Sequence, residues 1–66
     1  NNMSDFIRTS RYIINKDCIQ YIYFESNGIT VKLKDSVRLF FSNNNNSEKE
    51  DIDIILSSFN QRYIKD

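Results

Sequence analysis

Sixty-six residues with nine Lys or Arg against nine Asp or Glu, one cysteine and no histidine make one domain at most, and folding buries only about 60% of such a chain's surface. One cysteine cannot close an internal bridge, a His, Cys, Asp and Glu cluster with zinc spacing is absent, and zero net charge argues against long-range attraction to nucleic acid or anionic lipid. No stretch approaches the roughly 20 apolar residues of a membrane span and no secretory leader pattern is visible, so a cytoplasmic chain with no membrane, metal or cofactor is expected.

Asn1 and Asn2 precede Met3, and residues 1–4 are expected to be a disordered or vector-derived lead-in to a single domain over residues 5–66. "FIRTSRYIIN", residues 6–15, is rich in β-branched and aromatic side chains and predicts a first strand, ended by the polar "NKD" of residues 15–17. Cys18 lacks a base such as histidine to activate it, so a half-buried structural thiol is expected. "CIQYIYFES", residues 18–26, predicts a second strand, and Asn27-Gly28 predicts a tight hairpin, because both residues tolerate the positive φ of a type I′ turn.

A two-residue loop at Asn27-Gly28 sets Phe24 opposite Val31 and Ile22 opposite Leu33. Ile22, Phe24, Ile29, Val31 and Leu33 then share one face, because side chains alternate with period two. The opposite face pairs Glu25 with Thr30, Tyr23 with Lys32, and Tyr21 with Lys34. A three-residue loop at "KDS", residues 34–36, places Val31 opposite Leu39 and Ile29 opposite Phe41, and adds Arg38 and Phe40 to the outer face. After the polar spacer "NNNN", residues 43–46, "SEKE" at residues 47–50 matches a capping box with Ser47 as cap and Glu50 reaching back. Acidic residues crowd the first turns, and Arg62 and Lys65 lie near the end, as the helix dipole favours. Ile52, Ile55, Leu56, Phe59 and Tyr63 recur at helical spacing and form a stripe that should cover the sheet. The expected class is α+β: a small antiparallel β-meander of three to four strands packed on one C-terminal α-helix.

No phosphate loop or nucleophile elbow is present, and a chain this short is not expected to shelter a pocket of the ~300 Å³ a ligand requires; the protein is expected not to be an enzyme. Nine aromatic residues exceed what so small a core needs, and the surplus points to an interface. The candidate surface is Tyr21, Tyr23, Lys32, Lys34, Arg38 and Phe40. Rings and lysine stems of this kind suit a protein partner or a second copy of the chain. The expected function is therefore a self-associating, non-catalytic binding module acting as regulator, adaptor or inhibitor, a class that includes proteins encoded by phages and other mobile elements. The alternative is nucleic acid, with the rings stacking bases and the cations following phosphates.

Within residues 6–22, Phe6, Arg8, Tyr12, Ile13, Ile14, Asn15, Ile19 and Ile22 fit a strand of the form Phe-x-Arg-x-His-Arg-Ser-Tyr-Ile-Val-Asn followed by two spaced isoleucines, and "NGITVKLKD" fits the hairpin after it. This pattern resembles the C-terminal half of the LytTR-type DNA-binding domain of bacterial response regulators. The likeness covers residues 6–36, with Thr9, Ser10 and Arg11 standing where the family has His-Arg-Ser. It implies contact with DNA grooves through polar residues in loops at the sheet's edge, and Arg8 and Arg11 are the positions that carry over.

Overall fold

The computed structural model describes residues 5–64; the lead-in at residues 1–4 and Lys65 fall outside them. The segment expected as one first strand is a hairpin. Strand β1 (Phe6–Arg8) pairs antiparallel with β2 (Ile13–Asn15), with Ile7 opposite Ile14. The Thr9 N–H donates to the Tyr12 carbonyl at 2.8 Å, and the Tyr12 N–H donates to Thr9 Oγ1 at 3.0 Å. At the tip, the Ser10 N–H and hydroxyl donate to the two carboxylate oxygens of Asp51 at 2.9 and 2.6 Å. A fold-back held by an acid 41 residues away is invisible to local propensity, which sees only a β-rich run.

Asn15 then starts a 3-10 turn at Lys16–Cys18 by accepting from the Asp17 N–H at 2.9 Å, and the chain enters β3 (Ile19–Glu25). The Cys18 side chain is exposed rather than half-buried, because this turn has no buried residue. Strands β3, β4 (Gly28–Leu33) and β5 (Arg38–Ser42) form an antiparallel sheet in that order.

The first turn falls one residue earlier than expected, which moves the β3–β4 register by two. Ser26 and Asn27 make the loop, Phe24 faces Ile29, Ile22 faces Val31, Tyr23 faces Thr30 and Tyr21 faces Lys32. A shift of two leaves every side chain on its expected face. Gly28 belongs to the strand because its backbone, at φ 151°, passes against β5 so closely that a Cβ there would collide with the Phe41 carbonyl oxygen. The second turn is as expected: the Leu33 N–H donates to the Val37 carbonyl at 2.8 Å, Val31 faces Leu39 and Ile29 faces Phe41. Ser36 takes the left-handed position, with φ 76°.

Helix α1 runs over Asn46–Ser57 with Asn45 as its cap, not Ser47. Asn45 Oδ1 accepts from the Glu48 N–H at 3.1 Å and from the Ser47 hydroxyl at 2.9 Å. Glu48 Oε1 accepts from the Ser42 N–H at 2.8 Å, which ties the helix start to the end of β5. The helix also stops earlier than the apolar periodicity suggests. Asn60 adopts φ 60° and the Gln61 N–H reaches back to the Leu56 carbonyl at 2.8 Å, a left-handed stop. Lys16 Nζ donates to the Ser58 carbonyl at 2.8 Å while lying 4.7 Å from the Phe59 ring centre.

Both sheets pack on the helix, and the core joins Ile7 and Ile14 from the hairpin, Ile29, Val31 and Phe41 from the three-stranded sheet, and Ile52, Ile55 and Leu56 from the helix. Phe59 and Tyr63 lie beyond the helix and pack at the core's margin. Phe24, expected inside, is 57% exposed. The helix packs chiefly against β5, β4 and β1, and at the outer end of β3 the Tyr63 ring lies 6.2 Å from that of Phe24. No helix among the described residues is long and apolar enough to cross a membrane.

Candidate functional site

The face of the three-stranded sheet turned away from the helix brings together five of the expected residues. Across the strands, Tyr21, Lys32 and Arg38 form one row, and Tyr23, Thr30 and Phe40 form the next. The central strand supplies a floor. Thr30 and Lys32 are 7% and 8% exposed, while Tyr21, Tyr23 and Phe40 stand around them at 37%, 48% and 42%.

Each floor residue is satisfied within the chain. The Thr30 hydroxyl donates to Glu25 Oε2 at 2.6 Å, and Lys32 Nζ donates to Gln20 Oε1 and to the Leu33 carbonyl, both at 2.8 Å. Gln20 reaches this face because the register slips between Ile19 and Tyr21; such a bulge turns an extra side chain to one side. Lys32 Nζ also lies 5.8 Å from the Tyr21 ring centre.

The tyrosine rings stand 5.0 Å apart, and the Tyr23 hydroxyl donates to that of Tyr21 over a long 3.5 Å. That bond, followed by the hydrogen bond and charge of Arg38 and the charge of Lys32, holds the Tyr21 hydroxyl below its ordinary 10.0. Tyr23 is raised, first because it is the donor to Tyr21 and then because charge on Tyr21 would oppose its own.

The other three expected residues lie apart from this platform. Lys34 falls in the loop after β4, exposed, with its N–H donating to the Cys18 carbonyl at 2.9 Å. Arg8 lies on β1, and its Nε donates to the neighbouring Thr9 carbonyl at 2.7 Å. Arg11, at the hairpin tip, lies 3.7 Å from Glu48 at the helix start and 5.5 Å from the Tyr12 ring centre. The fold-back of residues 6–15 therefore places both arginines on a separate two-stranded hairpin from the sheet that carries Tyr21 and Tyr23.

Sequence reasoning set Glu25 on this face opposite Thr30 without counting it in the site, and it missed Gln20, which holds the floor with it, and a groove of about 320 Å³ beside β3 bounded by Ile19, Ile22, Phe24, Leu56 and Phe59. The available signal was that Ile19–Phe24 carries no charge at all, which is unusual for a strand at a sheet edge. No family model, curated protein or solved structure matches the chain.

Proposed function

We propose that this domain is a non-catalytic binding module of the cytoplasm that regulates, adapts or inhibits a partner protein through the Tyr21, Tyr23 and Phe40 platform. The observation that carries the reading is the condition of Lys32. Its ammonium is buried and already bonded to Gln20 and Leu33, so it serves as a support for the rings rather than as a charge offered to a ligand. What the platform presents is aromatic area with Arg38 at one end and Glu25 at the other, a mixture that suits a protein surface. The exposed Cys18 thiol agrees with a reducing compartment.

The test is affinity capture from the source cell with and without nuclease, using the wild type and Phe40→Ser. Phe40 is 42% exposed on the platform, so its loss should leave folding intact and weaken binding by about tenfold, the effect of losing ~1.4 kcal/mol at an interface. A partner that survives nuclease and is lost with Phe40→Ser supports the reading. Equal capture by both proteins, or capture that nuclease abolishes, counts against it.

The second reading, a nucleic-acid platform in the manner of the LytTR resemblance, draws on the contact of Arg38 with Tyr21 beside the Tyr23 ring. In that case fluorescence anisotropy with single- and double-stranded probes should detect binding that weakens with salt by a slope of about one per phosphate contacted.

A further inference from the structure

We infer that the outer edge of β3 joins the same edge of a second copy of this chain, antiparallel and centred on Tyr23, to make one continuous sheet of six strands. The inference goes beyond the protein-binding reading above: it concerns the strand edge beside the platform and stands or falls separately from it.

The first ground is hydrogen-bonding capacity. β3 is an end strand of its sheet. The Leu33 N–H turns to Val37 on the β5 side, and the Lys34 N–H turns to Cys18 on the β3 side. Antiparallel ladders alternate, so Thr30 and Lys32 bond to β3, and their partners Tyr21 and Tyr23 bond inward. Ile22 and Phe24 therefore direct their N–H and C=O groups outward. No backbone hydrogen bond outside the regular ladders reaches them among the described residues.

The second ground is how little guards this edge apart from Tyr63, whose ring lies beside Phe24 and whose hydroxyl donates to the Glu25 carbonyl. Edge strands usually carry lysine, proline or a bulge that discourages pairing. Here the bulge lies at Gln20, and Tyr21–Glu25 beyond it is regular and uncharged up to Glu25.

The third ground is complementarity about a two-fold axis through Tyr23. Tyr23 meets the second copy's Tyr23. Ile22 meets the second copy's Phe24 on the groove side, in the positions where outward N–H and C=O groups exchange bonds. Tyr21 meets the second copy's Glu25, placing that carboxylate beside a hydroxyl flanked by Arg38 and Lys32. Charge thus matches across the joint, and the exposed Phe24 gains cover from an isoleucine. A register centred on Ile22 would instead run Phe24 into the bulge at Gln20.

The experiment is multi-angle light scattering with residue-resolved hydrogen exchange on the wild type, Phe24→Lys and Phe40→Ser. The wild type should approach twice 7.9 kDa at about 0.5 mM and dissociate on dilution, as a small interface does. In the dimer the Ile22 and Phe24 amides should be protected, and they should exchange at least about tenfold faster once diluted. Phe24→Lys should be monomeric with an unchanged circular dichroism spectrum, and Phe40→Ser should stay dimeric even where it loses the partner protein. A wild type monomeric throughout overturns the inference, as does a dimer whose Ile22 and Phe24 amides exchange freely. Dissociation by Phe40→Ser would move self-association to the platform, overturning the edge and leaving the platform reading in place. Loss of the partner reading alone would appear as an intact dimer that captures no protein.

Discussion

Lys32 is a buried lysine whose cost is met locally: the ammonium has two acceptors at 2.8 Å and an aromatic face nearby, and its stem fills the row between Tyr21 and Arg38. An unpartnered ammonium at the same depth would be costly. The residues around it were visible in the sequence as outward positions of alternating strands, because alternation depends only on parity. Their rows were not visible, because a shift of two positions preserves parity and changes every neighbour. Tyr21 was expected beside Lys34 and stands beside Lys32, close enough to Tyr23 and Arg38 to lower its hydroxyl pKa below 10.0. Tyr23→Phe removes the donor, so the Tyr21 pKa should rise back toward 10.0, read by tyrosinate absorbance during a pH titration. An unchanged first ionisation would show that the two hydroxyls do not interact. Melting curves are the weaker readout. A lowered Tyr21 adds stability above the ordinary tyrosine pKa and a raised Tyr23 loses it as pH rises through its own pKa, so the two effects oppose.

At the scale of elements, the helix shows why caps are hard to place within a polar run. Ser47 with Glu50 and Asn45 with Glu48 both have the spacing of a cap and its reciprocal acid. The second pair wins because Glu48 bonds the Ser42 N–H, a contact that exists only once β5 and the helix are in place. Asn45→Ala should therefore destabilise the fold by about 1 kcal/mol, and Ser47→Ala by less than about 0.5 kcal/mol. Urea denaturation midpoints provide the comparison, and the reverse order would return the cap to Ser47. The helix end follows the same logic. Apolar spacing continues to Tyr63, but Asn60 in the left-handed region and the Lys16 ammonium on the Ser58 carbonyl end the helix at Ser57.

At the scale of the whole molecule, one buried carboxylate fastens the small sheet to the helix. Asp51 is 3% exposed and takes both Ser10 donors, and no buried side-chain nitrogen or oxygen among the described residues lacks a partner. Asp51→Ala removes both Ser10 hydrogen bonds to a buried carboxylate and should cost about 1.5–3 kcal/mol. Arg11→Ala removes an ion pair at 3.7 Å whose arginine is 60% exposed, and should cost less than about 0.5 kcal/mol. Equal losses in chemical denaturation of the two variants would mean that the hairpin is held by its isoleucines alone.

By itself the sequence determined the α+β class, the three-residue turn at Lys34–Ser36, the β4–β5 register, and the sorting of Tyr21, Tyr23, Lys32, Arg38 and Phe40 onto one face, because period-two alternation and turn length are local properties of the chain. Only the tertiary structure decided that residues 6–15 fold back on themselves, that the first turn falls at Ser26-Asn27, and that Phe24 is left 57% exposed. Those outcomes depend on Asp51, on the close passage of Gly28 past Phe41, and on where the helix stops. The first two are contacts between residues distant along the chain, formed when the sheets and helix meet and carrying no signature in the neighbouring sequence.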